Sequence, residues 1–240
     1  MQWLKPFKVQ AKRRTDQGDF WWELRAYAYY DQFNHTKIIY PYFNAERNFS
    51  FESNGAFSND KSYLISSDNQ VLLALLNSRA LWFALSSMIP PVRGGYHELR
   101  VQYVEQIPIP ALDNSARADL AAASNQASAT ARERLGLQSA LTRRIPDLCP
   151  PGRDPKLTTR LQEWWTLPDF AAFRAEVKKV FKADIPLAER SAWEEWITRD
   201  RAGITRLTAE IVKAEAEIDR IVYELFELTP DEIALLEASI

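Results

Sequence analysis

The arrangement of hydrophobic and polar residues differs between the two halves of the chain. In the first half, two short β-prone runs at residues 37–42 and 61–65 are separated by turn-forming strings at residues 53–55 and 58–60. Ile and Tyr favour a pleated surface, whereas Asn, Asp and Gly favour turns, so these runs predict strands of a small sheet. Residues 101–107 are predicted as a further strand.

A buried helix is predicted between residues 70 and 88. Nearly every position in the middle of this stretch is apolar, which is typical of a helix that other elements cover on all sides. The Asp-Asn pair at residues 68–69 supplies candidate N-caps, and the proline pair at residues 90–91 stops the helix. We expect this helix to pack against the sheet.

The second half is rich in Ala, Arg, Glu and Leu at helical spacing. A long helix is predicted from the cap string at residues 113–115 to about Ile145. After a proline-rich break at residues 146–155, shorter helical segments are predicted at residues 157–165, at residues 169–181 and from about residue 185.

The end of the chain carries a heptad pattern. From Ile204 onward, apolar residues alternate in steps of three and four, at positions 204, 207, 211, 214, 218, 221 and 225. This pattern predicts a helix that lies along another helix, as in a coiled coil. The string at residues 229–232, Thr-Pro-Asp-Glu, predicts the start of a last helix with an N-cap threonine and a glutamate three residues later.

These elements predict an α+β fold. Residues 1–110 are expected to form a small mixed sheet with a buried helix, and residues 111–240 a helical domain of packed long helices. Aromatic residues separate the two segments more sharply than charge does, because 20 of the 29 Phe, Trp and Tyr lie in residues 1–110.

Composition limits where such a protein works. The 240 residues are 46% hydrophobic, which is enough to fill a core, and the single cysteine, Cys149, supports neither an internal disulfide nor a cysteine metal site. The first residues lack the apolar core of a secretory signal, and no apolar run approaches the roughly 20 residues of a membrane span. We therefore expect a cytoplasmic protein with no membrane segment.

The net charge of -2 argues against binding nucleic acid by bulk electrostatics. Residues 1–110 hold 12 Lys and Arg against 10 Asp and Glu, or +2, and residues 111–240 hold 18 against 22, or -4. Contact with DNA would therefore require a local basic patch in the first segment.

The sequence lacks the motifs of methyl transfer. A methyltransferase needs a glycine-rich turn for S-adenosylmethionine, and an adenine-N6 enzyme also needs an Asn- or Asp-Pro-Pro-aromatic loop for the flipped base. The string Ile89-Pro90-Pro91-Val92 has the two prolines without the flanking polar group or the aromatic residue. We interpret it as a helix stop and expect neither a catalytic residue nor a cofactor site in this chain.

A second pattern imitates a magnesium-dependent nuclease. Asp169, Glu176 and Lys178 reproduce a Pro-Asp and Glu-x-Lys spacing. Apolar residues recur around them at helical spacing, whereas the carboxylates of such a site normally lie on strands, so an amphipathic helix is the favoured interpretation. The two histidines, His35 and His97, are too few for a His-rich metal centre.

Several features of the first segment suit contact with DNA. The loop Arg93-Gly94-Gly95-Tyr96 combines a bidentate donor and an aromatic ring with glycines that allow a close backbone approach. Cations that are candidates for phosphate contact are Lys12, Arg13, Arg14, Lys37, Lys61 and Arg100.

Five strings give the chain a family resemblance. They are GDFWWELR at residues 18–25, KIIYP at 37–41, LLALLNS at 72–78, RGGY at 93–96 and QYVEQIPIP at 102–110. In this order and spacing they resemble the TaqI-like C-terminal specificity (target-recognition) domain of adenine-specific DNA methyltransferases and fused type II restriction-modification enzymes. The end of the chain, from about Ile218 to Ile233, is similar to the closing helices of such enzymes.

The resemblance implies a DNA-recognition module that is not an enzyme on its own. In that family a separate Rossmann-like domain binds S-adenosylmethionine and flips the adenine, while the specificity domain lies across the duplex and reads bases from a groove. The expected partners are double-stranded DNA and a catalytic methyltransferase domain, with or without a nuclease, fused or on another chain. The residues 93–96 are thereby assigned to DNA contact, not to catalysis.

A competing interpretation remains open. In it, the chain is a protein-interaction module whose heptad helix at residues 204–225 docks a partner subunit, and the aromatic first segment is only core.

Overall fold

The structure is a computed structural model that describes residues 2–23 and 30–239. Leu24 and Arg25, the last two residues of the first family-like string, lie outside the described residues. The predicted α+β class is confirmed. The first part of the chain contains the strands β1 (Lys37–Pro41), β2 (Phe43–Asn44), β3 (Ser50–Glu52), β4 (Ser62–Ile65) and β5 (His97–Glu98), and the helices α1 (Lys8–Ala11), α2 (Gln70–Leu76), α3 (Arg79–Met88) and α4 (Val101–Val104).

The strands form two small antiparallel sheets. One has the order β3-β1-β4, and the other pairs β2 with β5. The strands predicted at residues 37–42 and 61–65 are therefore confirmed, but the sheet predicted as mixed has antiparallel pairs throughout the described residues. The connection from β1 to β3 is too short for the crossover that a parallel pair needs, and β4 pairs with the other edge of β1, also antiparallel.

The helix predicted between residues 70 and 88 is two helices, α2 and α3, with 60° between them. The break lies at Asn77 and Ser78. Ser78 has an extended backbone, and its hydroxyl accepts a hydrogen bond from the Leu81 amide, which caps α3. The Asn77 side chain bonds both backbone groups of Phe49, so the bend ties the helices to the sheet. The predicted cap Asn69 is confirmed.

The strand predicted at residues 101–107 is wrong. Residues 101–104 form the single-turn helix α4. Tyr103, Val104 and Ile107 all pack against one core, with the spacing of a helix face. In a strand, alternation would place these residues on two opposite faces.

Helices make up most of the second part of the chain. They are α5 (Asn114–Thr142), α6 (Thr159–Gln162), α7 (Phe170–Phe181), α8 (Arg190–Leu225) and α9 (Pro230–Ala238). Asp113 caps α5 by accepting from the Ala116 amide at 2.8 Å, and Thr229 and Glu232 form the predicted capping box of α9. The heptad positions from Ile204 to Ile221 are buried, and α8 packs along α5.

Two hydrophobic cores lie at opposite ends of this helix pair. The first core joins the sheet, α2 and α3 to Leu120 near the start of α5, to the last part of α8, and to Leu236 of α9. The second core surrounds Trp164 and Phe173 and is closed by the end of α5 and the first half of α8. We call residues 143–189, which connect α5 to α8 and supply most of this second core, the helical cap.

The first core draws on residues from both sides of position 110. The division of the chain at that position into two domains stays a prediction. Among residues 2–23 and 30–239, no single helix is long and apolar enough to cross a membrane; α2 and α3 reach that length and composition only as a bent pair.

Candidate nucleic-acid interface

A five-residue turn from Val92 to Tyr96 carries the central candidates. The Val92 amide donates to the Tyr96 carbonyl at 2.7 Å, and the Gly95 amide donates to the Val92 carbonyl at 3.2 Å. Gly94 and Gly95 have φ angles of 86° and 77°, a region in which a residue with a Cβ is strained. The two glycines are therefore what allow the chain to reverse here, and we call this turn the glycine hairpin.

Two side chains of the glycine hairpin are free to contact a ligand. Arg93 is exposed at its tip and makes no hydrogen bond or salt bridge to any of the described residues. Tyr96 is 47% exposed at its base, next to the first residue of β5. A free guanidinium fork beside an exposed ring can bond a base edge or a phosphate in two places and stack at the same time.

The strand that follows the hairpin leads into a polar network. On β5, Glu98 accepts hydrogen bonds through Oε2 from the Tyr42 hydroxyl and from Arg100 Nε, each at 2.9 Å. Arg100 and Tyr42 together hold the pKa of the Glu98 carboxyl below its usual value. Lys61 Nζ lies 6.0 Å from the Tyr42 ring centroid and pairs with Asp60 at 2.9 Å. Arg100 and Lys61 are thus exposed cations, each with a carboxylate neighbour.

Tyr42 holds this network between the two sheets. Its amide donates to the Lys61 carbonyl at 2.9 Å, and its carbonyl accepts from the Leu99 amide at 2.8 Å. The network residues Tyr42 and Glu98 were not predicted from the sequence, since 56 positions separate them. The Glu-x-Arg spacing at residues 98–100 is a local signal for the pair of Glu98 and Arg100, because side chains two residues apart in a strand share a face.

The basic run at residues 12–14 lies at the end of a cationic segment. Residues 2–14 contain five Lys and Arg and no Asp or Glu. Lys12 and Arg13 are exposed. Arg14 already has partners within the protein, since it pairs with Asp16 at 3.1 Å and donates to the Glu23 carbonyl at 2.7 Å. Lys12 and Arg13 are therefore better placed than Arg14 for a phosphate.

The prediction that Lys37 contacts a DNA phosphate is wrong. It is 1% exposed, its Nζ donates to the Phe33 carbonyl at 2.9 Å, and it forms an ion pair with Glu52. The bond from Lys37 is the main reason that the pKa of Glu52 is lowered. A buried cation with these partners cannot reach a phosphate without breaking them, so we remove Lys37 from the DNA-contact candidates.

His97 has a structural environment. Its Nδ1 lies 2.9 Å from the Ile89 carbonyl, and its ring packs edge-on against Trp82 with the centroids 5.9 Å apart. It connects the end of α3 to β5, and so helps to hold the glycine hairpin between them.

The nuclease-like pattern lies on a helix. Asp169 caps α7 by accepting from the Ala172 amide at 2.7 Å, and buried Glu176 accepts from the Thr158 hydroxyl at 3.2 Å. Lys178 is exposed on the same helix. The strand geometry on which a nuclease site depends is absent at residues 169–178, and in the described part of the chain no group of three or more His, Cys, Asp and Glu could hold a metal ion.

Comparison with known families divides the chain in two. Residues 4–109 match the family model of the TaqI-like C-terminal specificity domain, and residues 113–222 match a domain of unknown function, DUF8810. No curated protein sequence matches the chain significantly. The first match supports DNA sequence recognition in a methyltransferase or restriction system.

Proposed function

We propose that the TaqI-like C-terminal specificity domain formed by residues 4–109 selects the DNA sequence on which an adenine-N6 methyltransferase or a fused restriction-modification enzyme acts. The glycine hairpin carries this proposal. It presents Arg93, which has no partner among residues 2–23 and 30–239, on a turn whose shape depends on two glycines with positive φ. An unpaired, exposed guanidinium at a fixed tip is suited to bidentate contact with a guanine edge or a phosphate.

The surrounding cations are proposed to position the duplex. Lys61 and Arg100 are exposed beside the hairpin strand, and Lys12, Arg13 and Arg14 lie on the cationic N-terminal segment. Contacts of this kind fix register on the duplex without reading sequence. They would supply positive charge that the net charge of the whole chain does not provide.

Methyl transfer is proposed to belong to a different domain. That domain, fused to this one or on another chain, would bind S-adenosylmethionine and the flipped adenine. The present chain would act as the part that chooses the site, and its partners would be double-stranded DNA and the catalytic domain. A cytoplasmic location is part of this proposal.

The experiment is selection of bound sequences from a pool of random duplexes at two salt concentrations. An enriched motif is expected. Arg93→Ala should weaken binding to that motif by about 1 to 3 kcal/mol while binding to unrelated duplexes changes little, which is the signature of a base contact. The matched control is Arg132→Ala, since Arg132 is an exposed arginine on α5 without a partner among the described residues.

Each alternative result has a definite meaning. An equal loss on all sequences would make Arg93 a phosphate contact. Retention without any enriched motif would contradict sequence selection.

The docking of a partner through the heptad helix is less well supported. Leu207, Ile211 and Ile218 face the interior of the protein and are buried against α5 and the first core. A partner that bound these positions would first have to displace α5.

A further inference from the structure

A second basic surface lies on the helical cap, at the end of the α5–α8 pair opposite the first core. Residues 153–182 contain seven Lys and Arg against four Asp and Glu. Residues 190–239, which form α8 and α9, have the opposite balance, with six against twelve. Residues 153–182 are therefore the positive part of a cap whose residues 143–189 hold nine Lys and Arg against seven Asp and Glu, whereas α8 and α9 are acidic.

Two cations of the cap lie next to one buried carboxylate. Glu176 is 5% exposed, and it is reached by Lys179 Nζ at 3.4 Å and by an Arg160 nitrogen at 3.9 Å, while the Thr158 hydroxyl bonds its other oxygen. Arg160 comes from α6 and Lys179 from α7, so Glu176 brings cations of two helices to the same place. Both cations remain exposed over most of their side chains.

Two more exposed lysines lie close in sequence to these residues. Lys156 is exposed two residues before Thr158, and Lys182 is exposed at the end of α7, three residues after Lys179. Neither has a carboxylate partner among the described residues. Asp154 bonds the Lys156 amide, Asp169 caps α7, and Glu163 is exposed one turn after Arg160. We call Lys156, Arg160, Lys179 and Lys182 the cap cluster.

The position of the cap cluster suggests its partner. The helix α5 has 29 residues, which at about 1.5 Å per residue separates the two ends of the helix pair by roughly 43 Å. B-form DNA carries phosphates along its whole length at about 3.4 Å per base pair, so roughly a dozen base pairs match the length of α5.

We propose that the cap cluster is a second binding site for the phosphates of the duplex, outside the recognised sequence. This inference rests on the proposed function of the specificity domain. A cluster of exposed, flexible cations around one neutralising carboxylate attracts phosphate without reading bases, so it adds affinity and footprint length but no sequence preference.

The test compares duplexes of two lengths that contain the motif enriched by the wild-type chain. One carries short flanks that end within about five base pairs of the motif, and the other carries about 20 base pairs on each side, more than the span of α5. Lys156→Gln with Lys182→Gln should lower affinity for the long duplex and reduce its salt slope by about two, with no effect on the short duplex. Neither lysine touches Glu176, so this pair leaves the buried contact intact.

A second variant enlarges the effect. Neutralising all four residues of the cap cluster should reduce the salt slope by about three to four and shorten the protected footprint on one side. The matched control replaces four exposed cations of α8, Arg199, Arg206, Lys213 and Arg220, by Gln, which removes the same charge from the acidic helix.

Three results would overturn the proposal. They are equal losses on short and long duplexes, equal losses in the control, and no loss on the long duplex. An altered motif would also contradict it, because the cap cluster is assigned no base contact. If the wild-type chain enriches no motif, the proposed function itself fails; if it enriches a motif and the cap variants bind long duplexes normally, only the present inference fails.

Discussion

The two cores of this protein are assembled in different ways. The second core takes its residues from one continuous stretch, from Leu141 to Ile204, and large aromatic side chains such as Trp164 and Phe173 fill its centre. The first core combines short strands and helices near the start of the chain with residues of α8 and α9 that follow more than 100 positions later. The first core also holds the elements that carry the glycine hairpin.

Because only the first core carries the glycine hairpin, substitutions in the two cores should have different effects. Damage to the helical cap should lower stability locally, whereas damage to the first core should disturb the surface that is proposed to contact DNA. The helix pair between them is the connection through which one end can affect the other.

The largest expected effect comes from Trp164→Ala. Trp164 is fully buried in the second core, and its Nε1 donates to the Gln138 carbonyl at 3.1 Å. Loss of the ring should cost about 3 to 5 kcal/mol, measured by urea unfolding of the cap. Selection of the DNA motif should survive.

The matched change in the first core is Leu85→Ala, which should cost about 2 to 5 kcal/mol and should also abolish motif selection. Loss of selection in both variants would show that the two ends are not separable.

A smaller effect is expected at the joint between α3 and α8. Buried Asp219 accepts from the Arg79 amide at 2.7 Å and lies 3.3 Å from Arg47 Nη1. Asp219→Ala leaves these donors without their acceptor and should cost about 1.5 to 3 kcal/mol in chemical denaturation. Asp219→Asn should cost less, because burial raises the pKa of Asp219 despite the nearby arginines and so already disfavours its charge. An asparagine variant as unstable as the alanine variant would contradict this reasoning.

Acid should weaken the helical cap through Asp184. In the cap, Arg174 at bonding distance, assisted by Arg190 at 3.1 Å, holds the pKa of Asp184 well below its ordinary 3.8. Its contribution to stability is present above that ordinary value and is lost as the pH falls through the lower folded value. The raised pKa of Asp219 has the opposite sign, since protonation on acidification relieves a buried charge.

Hydrogen exchange in the cap should therefore become faster as the pH falls below about 4. The control is Asp184→Asn, which should remove this acid sensitivity of the cap but not that of the end with the first core, where the pKa values of Glu52 and Glu98 are also lowered. Equal acid sensitivity of the cap in the wild-type chain and in Asp184→Asn would refute the assignment.

The smallest effects are expected at two glycines of the helix pair. Gly136 on α5 has open space where a Cβ would lie, so Gly136→Ala should stabilise the protein by about 1 kcal/mol through helix propensity. On α8, a Cβ at Gly203 would lie 2.9 Å from Leu137 Cδ1, and the leucine would have to move. Gly203→Ala should therefore gain clearly less in a thermal melt than Gly136→Ala. Equal gains would mean that α5 and α8 are not in close contact here.

Sequence reasoning succeeded where caps and periodicity agreed. The starts of α2, α5 and α9 follow from Asn69, Asp113 and Thr229, whose side chains accept hydrogen bonds from the first turn of each helix. The heptad positions of α8 are buried because a repeat of three and four residues keeps one stripe toward α5.

Sequence reasoning failed where one side chain decides the geometry. The bend at Ser78 depends on a hydroxyl cap inside an apolar run, and the two-residue strand β5 is too short to show a period. The glycine hairpin was recognisable from its residues, because Gly-Gly beside Arg and Tyr predicts a turn with an exposed donor. The burial of Lys37 was not, since its partner Glu52 is 15 positions away on another strand.

The order of residues in the first core has a consequence for how the protein is made. A chain that emerges from the ribosome N-terminus first exposes the strands and α2 early, yet they pack against Ile218, Val222 and Leu236, which are synthesised more than 100 residues later. All residues of the second core, which end at Ile204, are available before those three. The helical cap can therefore fold during translation before the first core is complete, and the glycine hairpin gains its full support only after residue 236 has been synthesised.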